Sequence, residues 1–168
     1  MPIKIRSETP ADVAAIDTVT IAAFLDTPHA AHTEQFIVKA LRGAGKLAVS
    51  LVAEDAGTVI GHVALSPVVI SDGSQGWYGL GPISVLPDRQ RQEIGSRLML
   101  AALDALREIG AAGCALVGDP HFYARFGFRL ESALILPEVP PEYFQAILLR
   151  GQMPAGTVTF DPAFSATA

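Results

Sequence analysis

The sequence predicts an α+β domain, a mixed three-layer fold with helices on both faces of a mostly antiparallel sheet. Three observations carry this. Strand-like runs at residues 47–54 and 58–70 flank the turn Asp55-Ala56-Gly57, and a third run at 77–86 follows at once. A long helical stretch then separates 77–86 from the all-apolar run 114–117, the pattern of a crossover into a buried parallel strand. Two more helical stretches precede the strands, so the helices are available to cover both faces.

Each element has its own signal. Ile3 and Ile5 alternate with Lys4 and Arg6, as in a short strand. Thr9-Pro10-Ala11-Asp12 opens a helix. Thr9 is a cap residue, Pro10 suits the first helical position, and Asp12 meets the positive end of the dipole. Val13, Ile16, Thr20 and Phe24 form the helix stripe, and Asp26-Thr27-Pro28 stops it. A second helix spans 33–42 from the cap Thr33. Phe36, Ile37, Ala40 and Leu41 lie on one face, with Gly43 and Gly45 behind. Asp72-Gly73-Ser74 turns the chain into 77–86, where Gly79, Gly81 and Pro82 interrupt the strand. Such residues mark a bulge or a close backbone approach. A charged loop, 87–93, leads to a helix over 94–109 with Ile94, Leu98, Ala101, Ala102, Ala105 and Ile109 at helical spacing. Gly110 and Gly113 end it. A short helix over 120–125 stops at Gly127, a strand begins at Phe128, and the tail holds strands near 144–149 and 157–160.

Composition excludes several classes. The chain has the length of one domain, 168 residues, and 50% hydrophobic against 17% charged residues lets it bury a core. Disordered chains are polar and highly charged, so disorder is excluded as the main state. The longest uncharged run, 56–71, is broken by Gly61 and Pro67, whereas a membrane span needs about 20 apolar residues; no membrane partner is expected. The net charge of -5 argues against nucleic acid, whose phosphates require an excess of Lys and Arg. It leaves amines and other cations as partners. Cys114 is the single cysteine and the N-terminus turns polar at once, so no intrachain disulfide and a cytoplasmic location are expected.

The chemistry concentrates between Gly79 and Leu98. A strand feeds a polar loop, small residues follow at Gly95 and Ser96, and a helix begins. Helix N-termini present unpaired amides and bind phosphate. Arg89, Arg91 and Arg97 fall within nine residues of an acidic chain, which points to an anion site; the alternative is an ordinary solvated helix start. There is no Gly-Lys-Ser/Thr of a P-loop. A dinucleotide fingerprint also fails, because Gly79 and Gly81 run into Pro82 and more strand. His29-x-x-His32 has no further ligands at zinc spacing, so no metal is expected. Cys114, in an apolar strand, reads as inert core.

This segment resembles motif A of the GNAT superfamily of N-acetyltransferases. That motif has a strand ending in an apolar-x-Val, a Pro, then Gln/Arg-x-x-Gly-x-Gly/Ala opening a helix. Here Val85 and Pro87 lead to Gln90-Arg91-Gln92-Glu93-Ile94-Gly95. Further on, Phe122-Tyr123-Ala124-Arg125-Phe126-Gly127-Phe128 is similar to the superfamily's aromatic-Tyr-x-x-x-Gly-Phe signature. Leu80-Gly81-Pro82-Ile83 and Gly118-Asp119-Pro120 are similar to its YhbS-like branch. The element order over 3–130 fits, and residues 140–168 match loosely. One position departs: Glu93 stands where the family's first glycine does. A carboxylate there repels a pyrophosphate unless it turns to solvent.

The resemblance implies a GNAT-like fold, one such domain over 1–168, with a parallel strand pair splayed at the cofactor site. It implies acetyl-CoA as the acetyl donor and no metal. The pyrophosphate would rest on the amides of Gln90, Arg91, Gln92, Glu93, Ile94, Gly95 and Ser96. The pantetheine would run along the backbone of Ile83, Ser84 and Val85, with an amide near Val85 polarising the thioester carbonyl. Tyr123 matches the general acid that protonates the leaving thiolate after direct attack by a primary amine. The amine belongs to a small molecule or a protein, since acceptor residues lie on variable loops. His62, Glu34 and His32 are candidates for the base. Phe122, Trp77 and Tyr78 read as packing, and His121 as serving the turn before Tyr123. A homodimer is compatible with this reading. Two alternatives stand beside it: a non-catalytic acyl-CoA-binding module, motivated by Glu93, and an interaction protein on the same fold.

Overall fold

The chain runs β1 (Lys4–Ser7), α1 (Val13–Phe24), α2 (Glu34–Gly43), β2 (Val49–Asp55), β3 (Thr58–Pro67), β4 (Val69–Ile70), β5 (Trp77–Val85), α3 (Ile94–Glu108), β6 (Gly113–Val117), α4 (Pro120–Tyr123), β7 (Leu134–Ile135), β8 (Phe144–Leu148) and β9 (Gly156–Thr159). The computed structural model describes residues 3–27 and 31–168. The readings placed on Met1, Pro2, Pro28 and His29 lie outside them. Six strands form the main sheet in the order β1-β2-β3-β5-β6-β8, antiparallel except for the pair β5–β6. A smaller sheet, β4-β9-β7, stands beside it.

The periodicities account for the layers. On one face, Leu98, Met99, Leu103 and Leu106 of α3 pack on Val49 and Leu51 of β2 and on Val63 and Leu65 of β3. On the other, Ile16 and Val19 of α1 and Val38 of α2 meet Val52 and Val59. Each of these side chains, once buried, contributes roughly 1.5–3 kcal/mol.

Two expectations are corrected. The run 58–70 is not one strand: it breaks after Pro67, and β4 leaves the main sheet to pair with β9. Pro67 has no N–H to continue a ladder, while the Val68 amide still reaches the Trp77 carbonyl at 3.0 Å. Phe128 begins no strand either. The segment there makes a single bridge between Arg129 and Ala146, and Phe128 is buried. The short strand β7 carries no periodicity long enough to be read.

The splay that shapes the site follows from β5. Its parallel pairing with β6 covers only Trp77, Tyr78 and Gly79. Against β3 the register then slips: Leu80 faces Leu65 and Ile83 faces Val63, so Gly81 and Pro82 together stand opposite Ala64. Gly81 takes φ +142 in this bulge, a conformation that favours glycine. Beyond Gly79 the far edge of β5 has no strand partner, while β6 continues along β8 as far as Val117 and Phe144. The two strands part there and leave an open V.

Candidate active site

The backbone of β5 alternates its hydrogen-bonding direction. The Leu86 amide donates to the Ile60 carbonyl at 2.9 Å, toward β3. The same parity turns the polar groups of Ser84 toward β3 and those of Ile83 and Val85 toward the open edge. Ser84 therefore does not offer its backbone to a ligand as expected, and its hydroxyl is buried with no partner among the described residues. Ile83 and Val85 do face the V.

Past β5, Pro87–Arg89 make one 3₁₀ turn. The Gln90 amide closes onto the Pro87 carbonyl at 3.5 Å, and the Gln90 side-chain nitrogen donates to the Val85 carbonyl at 3.1 Å. Gln90 thus pins the loop to the strand, and its amide is not free as expected. The next six amides, Arg91 through Ser96, have no acceptor among the described residues; the first bond of α3 is from the Arg97 amide to the Glu93 carbonyl at 3.0 Å. Arg91 and Glu93 both lie in the left-handed region at φ +64. Alternating hand across such a turn gathers successive N–H groups into an anion-binding concavity at the helix start. Ile94 contributes only backbone here, since its side chain is in the core. A Cβ at Gly95 would meet nothing closer than Phe122 Cζ at 4.0 Å. The fold leaves room for a side chain at Gly95, and the bare backbone opens the concavity.

The arginine cluster divides. Arg89 pairs with Asp55 at 2.8 Å, and Arg97 donates to the Ile3 carbonyl at 2.6 Å, so both tie the loop and helix to the sheet. Arg91 is exposed and forms no ion pair among the described residues. Of the three arginines, only Arg91 is left outside an ion pair or a tie to the sheet among the described residues.

Glu93 behaves differently from the simple repulsion argument. Its carboxylate is exposed and lies 3.3 Å from the Arg125 guanidinium, which also reaches Ser96 Oγ at 3.3 Å. Arg125 rests over the rings of Phe122 and Phe126 at 5.4 and 5.6 Å. The Arg125 guanidinium partly offsets the carboxylate's charge. Glycine would also relieve the left-handed backbone, which costs a non-glycine residue about 1 kcal/mol. We expect Glu93→Gly to tighten acetyl-CoA binding by about 2- to 10-fold, less at high salt, as a formal charge leaves and Arg125 is released. Calorimetric titration checks this; equal or weaker affinity would mean the carboxylate is harmless where it sits.

Tyr123 ends α4, whose start is capped by the Asp119 carboxylate accepting the His121 amide at 2.9 Å. The His121 backbone, rather than its ring, serves this turn. The Tyr123 ring stands edge-on to Phe122 and Phe128 at 4.9 and 6.2 Å between centroids. Burial, and then the charge of Asp119, push its phenol above the ordinary value of 10. It lines a cavity of about 640 Å³ at the V, together with Gly81, Pro82 and Ile83. Glu34, Glu138, Phe160 and Phe164 also line this cavity. Glu138 and the two phenylalanines come from segments that carry no motif in the sequence.

Of the three candidate bases, only Glu34 lines the cavity with Tyr123. His32 is exposed. His62 is fully buried: its Nε2 lies 2.8 Å from the Ser50 hydroxyl, which donates to Glu8, and Arg42 pairs with Glu8 at 2.9 Å. Burial pushes the His62 imidazole down to about 4, with Glu8 opposing the shift and Arg42 adding to it. The fold thus prefers His62 neutral. Above pH 6.5 folded and unfolded chains agree. Between 6.5 and 4 only the unfolded chain takes up this proton, and up to roughly 3 kcal/mol of stability is lost. The depressed Glu8 carboxyl adds its loss lower, below 4.5. We expect the melting temperature to fall as pH drops from 6.5 to 4, and His62→Gln to flatten that slope. An equal slope in the variant would assign it elsewhere.

Residues 46–130, which hold β5, the amide loop and Tyr123, match the model of the acetyltransferase (GNAT) domain. The chain belongs to the GNAT acetyltransferase family. It is 38% identical over 127 residues to the uncharacterized N-acetyltransferase YhbS of Escherichia coli K12, covering 75% of this chain and 73% of that one. A crystal structure of a GNAT family acetyltransferase from Brucella melitensis in complex with acetyl-CoA superposes with a TM-score of 0.87 at 45% identity, over 97% of this chain and 98% of that one. The E. coli YhbS structure in complex with CoA gives 0.89 at 32% identity, over 99% and 93%. The fold is accordingly the GNAT fold, and the chain is an N-acetyltransferase by family. No helix among the described residues is long and apolar enough to cross a membrane, and no three His, Cys, Asp or Glu side chains among them gather as a metal site.

Proposed function

We propose that this acetyltransferase carries the acetyl group of acetyl-CoA to a primary amine by direct attack, with Tyr123 as general acid and Glu34 as base. The supporting observation is that the splayed end of β5 brings together the open backbone edge at Ile83 and Val85, the loop amides Arg91–Ser96, which have no acceptor among the described residues, and a cavity lined by Ile83 and the half-buried Tyr123. The Brucella relative holds acetyl-CoA and the E. coli relative holds CoA, and the same donor suits these features. The Arg91–Ser96 amides receive the pyrophosphate. Ile83 and Val85 hydrogen-bond the pantetheine as an added strand edge would, and the Val85 amide polarises the thioester carbonyl.

Glu34 takes a proton from the amine, and the neutral nitrogen attacks the carbonyl carbon. The C–N bond forms, the nitrogen releases its second proton to solvent, the C–S bond breaks, and the Tyr123 hydroxyl gives its proton to the departing thiolate. Tyr123 is refilled from solvent. A phenol held above 10 stays protonated through the neutral range, so the acid is always loaded.

The test is a calorimetric titration with acetyl-CoA, CoA and ADP, paired with thiol release in the presence of primary amines. We expect acetyl-CoA to bind with a dissociation constant on the order of micromolar, more tightly than ADP, and thiol release to depend on amine. Binding without turnover would make the chain an acyl-CoA-binding module. Binding of no CoA species would overturn the site.

A further inference from the structure

The acetyl transfer proposed above leaves the class of amine open, and the cavity beside Tyr123 narrows it. Its volume of about 640 Å³ equals roughly 20 water-sized volumes, enough for a small molecule and the reacting end of the donor. The walls are largely apolar: Phe24 of α1, Ile37 of α2, Leu80 and Pro82 of β5, and Phe160 and Phe164 of the C-terminal segment. Phe160 and Phe164 stand edge-to-face at 5.1 Å, a rigid aromatic corner.

The charges on this cavity have one sign. Glu34 and Glu138 line it, and no Lys, Arg or His is among the described residues that do. Glu34 Oε2 accepts the Ala31 amide at 3.2 Å, whereas its Oε1 is buried with no partner among the described residues. A buried carboxylate oxygen without a donor is costly until a cation supplies one. Glu138 is exposed, with a left-handed backbone at φ +68. A ligand with an apolar body and one amine satisfies Glu34. A ligand that also carries a carboxylate meets two like charges and nothing to pair with.

We infer that the acceptor is a small primary amine with an apolar body and no acidic group, its nitrogen received by Glu34 and acidic analogues turned away by Glu138. This rests on the acetyl-transfer reading, so the experiment must separate the two. Acetyl-CoA-dependent thiol release is measured with matched pairs that differ only by a carboxylate: phenethylamine and phenylalanine, tryptamine and tryptophan, isoamylamine and leucine. An aminoglycoside stands for polar polycations, and Nα-acetyl-lysine methyl ester for a protein amine. We expect each amine to exceed its amino acid by about 100-fold or more in kcat/KM, the scale of placing like charges side by side in a binding site. Glu138→Gln narrows the ratio by about 3- to 10-fold. Ratios near one, or fastest turnover of the aminoglycoside or the lysine ester, would overturn the inference. If no acceptor is acetylated, calorimetry on CoA-loaded protein decides. Phenethylamine binding with phenylalanine excluded upholds the cavity's selectivity while the transfer reading fails. Binding of neither, or of both alike, refutes the selectivity as well.

Discussion

Tyr123→Phe is expected to lower kcat about 10- to 1000-fold while leaving acetyl-CoA affinity unchanged, the range a positioned general acid contributes. The substitution removes one oxygen and keeps the ring, with its edge-on contacts to Phe122 and Phe128. The amides of Arg91–Ser96 and the edge of β5 belong to other elements, so donor binding has no reason to move. The pH profile gives a second readout. Burial and Asp119 raise the phenol, so the wild-type protein keeps its acid loaded until the pH passes the ordinary tyrosine value of 10. The alkaline fall in kcat that comes from Tyr123 should therefore lie above that pH and vanish in the phenylalanine variant. Unchanged turnover would remove Tyr123 from the chemistry.

How much of this was legible depended on whether a feature is local. The strand–loop–helix unit could be read because its signals are consecutive: Pro87, the polar loop, and Ile94 followed by Gly95 at the start of a periodic stripe. Tyr123 was legible for the same reason, between Pro120 and Gly127. The errors lie where parity or distant contacts decide. Ser84 faces inward because alternation along β5 is counted from Leu86, and the bulge at Gly81–Pro82 shifts that count. Glu93 looked repulsive because its partner, Arg125, comes 32 residues later on the Tyr123 segment. Arg89 and Arg97 looked like phosphate ligands until Asp55 and the Ile3 carbonyl appeared beside them. The acceptor cavity was least visible of all. Its walls come from α1, α2, β5, β6, α4, residues 136–139 and the tail, and no common spacing joins these segments.

Gly118 shows how such a hidden dependence can be tested. It joins β6 to the cap of α4, and nothing in its own type marks it as part of the chemistry. A Cβ added there would overlap Tyr123 Cε2 and stand 3.2 Å from Cδ2 and 3.4 Å from Cζ. The Gly118 backbone is held on both sides. Its amide donates to the Tyr143 carbonyl at 2.9 Å, and its carbonyl accepts from the buried Gln145 side chain at 3.0 Å. The ring is therefore the part that yields. A displacement of about 1 Å at a reacting group costs on the order of 100-fold in rate, so Gly118→Ala should lower kcat by about that factor with the Tyr123 hydroxyl still present. Acetyl-CoA affinity should hold, as in Tyr123→Phe. The decisive measurement is the double variant. If alanine acts only by moving the phenol, Gly118→Ala adds almost nothing once the hydroxyl is gone, and the two losses are strongly non-additive. Fully additive losses would mean that Gly118 serves the site by another route, and that the Tyr123 ring tolerates the crowding.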